Sequence, residues 1–316
     1  MPKQIIALEE HNLPTDIAAK AGPSFPPPTA DQLNDFGDGR IAVMDEAGID
    51  LQVLSLVAYG VQNLPPAQSV EFAREANDRM AAACVAHPAR FRAFAALPMS
   101  DPSAAADELR RCVTEHGFLG AMVFGHTGGR WLDHPTNEPV FSALERLNVP
   151  LYIHPAPPLP EVRQAYYSDL GDAGQSLSTG GWGWHVECGM HLLRLVVTGT
   201  FDRHPGLRVV VGHMGENLPF SLARADDRLS PVTRGERGVA ETILAQVWIT
   251  TSAYITFPPL LCALQVFGAD RIMFSVDHPF ADSSKATAAL RAAPISPGDL
   301  EKVAWANATA FLGLAG

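Results

Sequence analysis

The stretch Leu207-Arg208-Val209-Val210-Val211-Gly212-His213-Met214-Gly215-Glu216 decides the fold. A run of branched residues with strand preference stops at a glycine, meets His213 and Glu216, and gives way to helical period over Leu218–Asp227. The same unit recurs along the chain. Runs at Ile5–Leu8, Leu51–Leu56, Phe91–Leu97, Phe118–Phe124, Pro150–Ile153, Leu207–Val211, Val247–Thr251 and Ile272–Val276 make eight candidate strands. Helical spacing predicts helices at about Gln32–Ala47, Ala67–Ala86, Ser103–His116, Glu138–Leu147, Trp184–Phe201, Leu218–Asp227, Pro258–Phe267, Lys285–Ala293 and Pro297–Leu312. Within Glu71–Ala86, Phe72, Ala73, Ala76, Met80 and Cys84 share one face, while Glu71, Arg74, Glu75 and Asp78 share another. Eight strand-helix repeats in 316 residues predict an α/β fold, a (β/α)8 TIM barrel forming one domain over residues 1–316. A doubly wound sheet would place Gly-x-Gly-x-x-Gly after the first strand, and none follows Ile5–Leu8. The stretch Pro155–Gly183, rich in Gly, Pro and Ser, predicts a loop insertion at the C-terminal face, where barrel enzymes build their sites.

Composition agrees with a compact globular chain: 47% of the residues are apolar and 18% charged. A net charge of −11 leaves no basic surplus for a phosphate backbone, so nucleic acid is excluded as a partner. The first ten residues carry Glu9 and Glu10 and no signal-peptide core, and no apolar run approaches the roughly 18 residues of a membrane span. A cytoplasmic protein without a membrane partner is expected. The four cysteines form no Cys-x-x-Cys pair and read as buried free thiols.

In a barrel the chemistry stands where strands end. Here the first strand is followed by Glu9-Glu10-His11, the fifth by His154-Pro155, the sixth by Gly212-His213-Met214-Gly215-Glu216, and the eighth ends in Ser275-Val276-Asp277-His278. Glu9 and His11 are two apart, so strand alternation puts both on one face. With His154 and Asp277 they supply two carboxylates and two imidazoles, a set suited to Zn²⁺ or Mn²⁺ with positions open for water or substrate. A lone histidine is usually a hydrogen-bonded structural residue; the coincidence at four strand ends is what points to a metal. Glu10 alternates to the other face and reads as a supporting or salt-bridge residue. His87, His116, His126, His134 and His204 read as surface residues. His185 sits beside Trp182 and Trp184 in a cluster that is either core or a wall of the substrate pocket.

Taken in order, Ala7-Leu8-Glu9-Glu10-His11, Tyr152-Ile153-His154-Pro155, Trp182-Gly183-Trp184-His185-Val186-Glu187, Gly212-His213-Met214-Gly215-Glu216-Asn217-Leu218-Pro219-Phe220 and Ser275-Val276-Asp277-His278-Pro279-Phe280 resemble the amidohydrolase-related, metal-dependent decarboxylases of hydroxybenzoates. The resemblance is nearest to the γ-resorcylate and 2,3-dihydroxybenzoate decarboxylases, with aminocarboxymuconate semialdehyde decarboxylase further off. It implies Glu9, His11, His154 and Asp277 as metal ligands and His213 with Glu216 as a polar pair beside the substrate. It also implies Arg224 as a contact for the substrate's carboxylate or hydroxyl. The three-residue spacing of His213 and Glu216 agrees with a helical pairing. Asn12, Phe124 and His278 depart from the pattern, in which Phe, Asn and Tyr are usual, and are expected with Trp182 around the substrate.

Two chemistries fit this set. In non-oxidative decarboxylation of an ortho-hydroxybenzoate, Asp277 protonates the ring carbon that loses CO₂. In mononuclear hydrolysis of a lactone, ester or amide, Asp277 acts as a base toward a metal-bound water. No lysine stands at the strand ends to bridge two metals, which argues for one ion. A barrel that binds a ligand without catalysis is a third reading, disfavoured by the clustering of these residues. The implied partners are a small aromatic acid and further copies of the chain, as a homodimer or homotetramer.

Overall fold

The computed structural model describes residues 2–21, 24–57 and 61–314. Its strands are β1 (Ile6–Asn12), β2 (Leu51–Leu56), β3 (Phe91–Ala93), β4 (Ala95–Ala96), β5 (Ala121–Phe124), β6 (Leu151–His154), β7 (Val209–Val211), β8 (Val247–Thr250) and β9 (Ile272–Met273). They run parallel in the orders β1-β2-β3 and β4-β5-β6-β7-β8-β9. β3 and β4 are halves of the expected strand Phe91–Leu97, parted at Phe94, whose N–H donates to the Leu54 carbonyl at 2.9 Å while that of Ala95 donates to Gly120 at 2.8 Å. The barrel closes through a parallel bridge between Glu10 and His278, with the His11 N–H donating to the His278 carbonyl at 2.8 Å. The result is the (β/α)8 barrel that the repeats predict.

Two apolar layers explain why the strands are buried on both faces. Inside the barrel pack Ile6, Leu8, Val53, Phe94, Met122, Phe124, Tyr152, Val210 and Met273. Between barrel and helices pack Ala7, Leu54, Leu56, Val123, Ile153, Val209, Val211, Phe274 and Val276, joined by Phe72, Ala73, Ala76 and Met80 from the helix Pro66–Ala86. Ala308, Phe311 and Leu312 of the last helix, Asn307–Leu312, cover the floor of the barrel, where the Phe311 ring lies 4.5 Å from that of Trp248. In β1 the register against β2 shifts between Ala7 and Glu10. That irregularity lets Glu9 turn inward although Leu8 already does, and it sends Glu10 outward and His11 inward.

Several elements differ from expectation. Gln32–Ala47 is two helices, Pro27–Asn34 and Asp38–Ala47, because Asp35 adopts extended backbone and its Oδ1 accepts the Gly37 N–H at 2.8 Å, a local bond that competes with the helix. The insertion Pro155–Gly183 carries the helices Pro160–Tyr167 and Gly171–Ser178 where an irregular loop is expected. The helix Val239–Gln246 has no counterpart in the sequence reading, and a π-turn at Lys302–Ala306 interrupts the last expected helix. All four cysteines are free; Cys112 and Cys188 are buried, but Cys84 and Cys262 only half-buried. None of the described helices is long and apolar enough to cross a membrane.

The helix Pro102–His116 begins on Asp101, whose carboxylate accepts the Ala104 N–H at 3.1 Å. Asp101→Ala removes this cap and should lower the unfolding free energy by about 1 kcal/mol, measured by urea denaturation.

Candidate active site and metal centre

Glu9 is wholly buried, and its two oxygens have different tasks. Oε2 accepts from Ser252 Oγ at 2.5 Å and from the Tyr152 hydroxyl, which itself lies 2.7 Å from Thr250 Oγ1. Burial and the Glu9 charge push the Tyr152 phenol well above its ordinary pKa, so it stays a donor. Gly212 leaves room for this arrangement: a Cβ there would lie 2.4 Å from Glu9 Oε2. Oε1 has no hydrogen-bond partner among the described residues and faces His154 Nε2 at 3.1 Å, His213 Nε2 at 3.7 Å and His11 Nε2 at 3.8 Å.

The imidazoles are oriented from behind. The Nδ1–H of His154 donates to the Pro155 carbonyl at 2.8 Å, and His11 Nδ1 lies 3.1 Å from Ser55 Oγ, so each ring turns Nε2 toward the centre. Asp277, on left-handed backbone at φ 74°, places Oδ1 3.2 Å from His11 Nε2 and Oδ2 3.6 Å from His213 Nε2. The ligand atoms of Glu9, His154, His213 and Asp277 all lie within 4.8 Å of one another. His11 adjoins this group, its ring centroid 4.9 Å from that of His154.

Charge in the centre is strongly ordered. Burial raises the Glu9 carboxyl, but the His213 charge and the contacts with His11 and His154 outweigh it and hold Glu9 well below the usual carboxylate range. Asp277 is likewise lowered against burial by His11 and His213. Burial lowers His11, yet Asp277 and Glu9 lift it to about 9. His213 is pushed down by burial and raised well above the imidazole range by Glu216, Glu9 and Asp277. Two carboxylates in a buried site favour positive charge nearby, which is why His11 and His213 are shifted toward the protonated form. A divalent ion meets the same demand. Glu9 Oε1, His11 Nε2 and Asp277 Oδ1 are buried with no hydrogen-bond partner among the described residues, which is the pattern of donors facing a cation. The set is oxygen and nitrogen without thiolate, fitting Zn²⁺ or Mn²⁺.

Beyond the centre, Glu216 accepts from His213 Nδ1–H at 2.8 Å and from His185 Nδ1–H at 2.7 Å, and His185 Nε2 lies 3.2 Å from the Gly180 carbonyl. The expected His213–Glu216 pair is present, but ordinary helical spacing does not make it. His213, Met214, Gly215, Glu216 and Asn217 have φ of 48°, 57°, 83°, 53° and 64°, five consecutive left-handed residues. Such backbone costs roughly 1–2 kcal/mol per non-glycine residue, so the turn that presents His213 is a store of strain at the site.

Other expected residues are redistributed. The Phe124 ring packs 4.4 Å from His154 and 6.2 Å from His11, at the mouth as expected. Asn12 is not at the mouth: its Nδ2 donates to the Ser55 carbonyl at 2.8 Å and lies 3.2 Å from the Met80 sulfur, on the helix side of β1. His278 also turns away, into a cleft with Gln32, Val43 and Ser283, on the same side of the sheet as the outward Glu10 with which it forms a parallel bridge. Arg224 lies on the exposed face of the helix Leu218–Leu229, 3.0 Å from Asp227, and contacts none of these groups. Trp182 is 53% exposed, whereas the Trp184 ring lies 6.3 Å from His154. Phe280, 5.7 Å from the His11 ring, adds a wall that the sequence reading omits, as it omits Tyr152, Ser252 and Thr250. A tyrosine two residues before His154, on the same face of a buried strand, is the unread signal for Tyr152.

The family model described as Amidohydrolase matches residues 10–314. The chain belongs to the amidohydrolase family. Within the family, the gamma-resorcylate decarboxylase of Rhodococcus jostii (strain RHA1) is 39% identical to it, over 98% of this chain and 98% of its own. The crystal structure of a 2,6-dihydroxybenzoate decarboxylase complexed with 2,6-dihydroxybenzoate is 37% identical and superposes with a TM-score of 0.92, covering 99% of this chain and 100% of that one. A dihydroxybenzoic acid decarboxylase from Polaromonas sp. JS666, solved with bound manganese and the inhibitor 2-nitroresorcinol, is 36% identical with a TM-score of 0.91, over 99% of this chain and 98% of its own.

Since Glu9 Oε2 is pinned by hydroxyls, Gly212→Ala should force the carboxylate or the β7 end to move. The expected cost is about 1–3 kcal/mol in chemical denaturation, together with weaker Mn²⁺ binding in a chelator-competition titration.

Proposed function

We propose that this chain is a divalent-metal-dependent decarboxylase of an ortho-hydroxylated benzoate, working on one barrel domain over residues 1–316 in the cytoplasm as a homodimer or homotetramer. The observation that carries the reading is the convergence of Glu9 Oε1, His11 Nε2 and Asp277 Oδ1, buried and unsatisfied, in a chain so similar to hydroxybenzoate decarboxylases. Glu9, His11, His154 and Asp277 would hold the ion, Zn²⁺ or Mn²⁺; the manganese in the Polaromonas relative favours the latter. His213, held through Nδ1 by Glu216 and with Nε2 beside Asp277 Oδ2, would stand on the substrate side, as in the pattern of the related decarboxylases. A bound ion supplies Lewis acidity, stabilising negative charge on the carboxylate and phenolate oxygens of the substrate.

Phe124, Trp184 and Phe280 offer aromatic surface for the ring. Of the three departures from the decarboxylase pattern, only Phe124 faces the mouth, so Phe124 is the residue that adapts the pocket to the ring's substituents. Asp277 is the proton donor, and His213, whose Nε2 lies 3.6 Å from Asp277 Oδ2, is the neighbour from which it would take up its proton. Protonation of the ring carbon uses a ring electron pair to form the new C–H bond. The C–C bond to the carboxylate then breaks, its pair restores aromaticity, and CO₂ leaves. Glu216, braced by His185, keeps the His213 Nε2 directed at Asp277 while a new proton arrives. Exposed Phe220, Phe257 and Leu261 supply apolar surface for contact between copies.

The test is product analysis after incubating Mn²⁺- or Zn²⁺-loaded protein with ortho-hydroxybenzoates, aryl esters and lactones. A phenol with matching CO₂ is expected; cleaved esters or lactones with untouched benzoates would mean hydrolysis instead. Removing the metal by chelation should abolish CO₂ release, and Mn²⁺ should restore it. Asp277→Asn should lower turnover by at least about 10²-fold; wild-type rates in that variant, with metal content verified, remove Asp277 from the proton-donor role.

A further inference from the structure

The residue between Glu9 and His11 points the other way. Glu10 is wholly buried in the layer between barrel and helices, where its Oε1 accepts the Val276 N–H at 2.9 Å and its Oε2 accepts from Gln52 Nε2 at 3.0 Å. Gln52 Oε1 accepts in turn from Arg40 Nη1 at 3.3 Å. Arg40, 1% exposed, also donates through Nε to the Asp35 carbonyl at 2.8 Å and through Nη2 to the His11 carbonyl. One chain of bonds therefore ties β1, β2 and the helix Asp38–Ala47 to the residue immediately before Asp277.

This network lies at the seam that closes the barrel. Elsewhere neighbouring strands share two or more register pairs, but between β1 and the segment after β9 the described residues show the isolated Glu10–His278 bridge, the His11 N–H bond to the His278 carbonyl and the Glu9 N–H bond to Ser275 Oγ at 2.8 Å. Glu9 and Asp277, the two carboxylates of the centre, come from opposite sides of that seam and meet at His11, so the centre keeps its spacing only while the seam is held. The Glu10 carboxyl is suited to hold it because both of its oxygens accept an N–H, one from each side. A carboxamide there would turn an amide donor toward one of those N–H groups. Flipping Gln52 to compensate would bring its NH₂ against Arg40.

We propose that Glu10, backed by Gln52 and Arg40, is a positioning residue of the metal centre, clamping β1 to the Asp277 segment so that Glu9, His11 and Asp277 stay at ion-binding separation. The proposal rests on the metal reading above. Partners behind a metal's ligands typically contribute 10–100-fold to affinity.

The experiment uses the full chain, stripped of metal and titrated with Mn²⁺ against a fluorescent chelator, with the Mn²⁺ electron paramagnetic resonance spectrum and the metal-free melting temperature recorded alongside. Glu10→Gln is expected to bind Mn²⁺ about 10–100-fold more weakly than wild type, with an altered spectrum. Gln52→Leu, which cuts the clamp away from the centre, should shift both in the same direction by less, and the double variant should fall short of the sum of the two. Wild-type affinity and spectrum in both single variants overturn the proposal, as does a lowered metal-free melting temperature with affinity unchanged, which marks support of the fold alone. Wild-type protein that binds neither Mn²⁺ nor Zn²⁺ overturns the metal reading itself, an outcome distinct from the other two.

Discussion

Two buried carboxylates that stay ionised, Glu9 and Asp277, are the constraint around which the rest of the site is arranged. An uncompensated buried charge is worth several kcal/mol of destabilisation, so each carboxylate needs cations or donors within reach. The chain answers with three imidazoles on the inner side of the barrel and with hydroxyls from Tyr152 and Ser252 behind Glu9. The imidazoles are in turn held by Ser55, Pro155 and Glu216, so the orientation of each ring is fixed by a group outside the cluster. The left-handed turn at His213–Asn217 is tolerated because it brings one of those imidazoles to the carboxylates from the end of β7.

The architecture was legible because barrel repeats put their chemistry where strands stop. Glu9, His11, His154, His213 and Asp277 each follow or end a run of strand-forming residues, and the structure brings all of them to one place. Glu9 and His11 share a face as the two-residue period requires, although the register shift in β1 places Leu8 inward as well, which alternation does not predict. The same period, applied consistently, would have turned Asn12 and His278 outward. Their placement around the substrate came from the resemblance to related decarboxylases rather than from the residues, and there the two lines of reasoning part.

What stayed hidden depends on backbone conformation and on helix phase, neither of which short spacing encodes. Nothing in His213-Met214-Gly215-Glu216-Asn217 announces five left-handed residues, since only one of the five, Gly215, is a glycine. Trp182 and Trp184 are separated by one residue, and the start of a helix at Gly183 decides which of them reaches the site. Arg224 falls on the solvent face of its helix for the same reason. Hydroxyl groups are the hardest to foresee. Thr250 and Ser252 lie in β8 and just beyond it, a segment whose sequence carries no acid or histidine to mark it as part of a site.

The asymmetry of Glu9 bears on which ions the centre can accept. With Oε2 occupied by the hydroxyls of Tyr152 and Ser252, the carboxylate has one oxygen to offer and cannot swing to chelate with both. Calcium, which takes six to eight oxygens and readily uses carboxylates in bidentate fashion, finds too few donors here, and two of the imidazoles around it are nitrogen ligands it does not favour. Two hydroxyls that the ion itself would never touch thus add to the centre's mismatch with calcium.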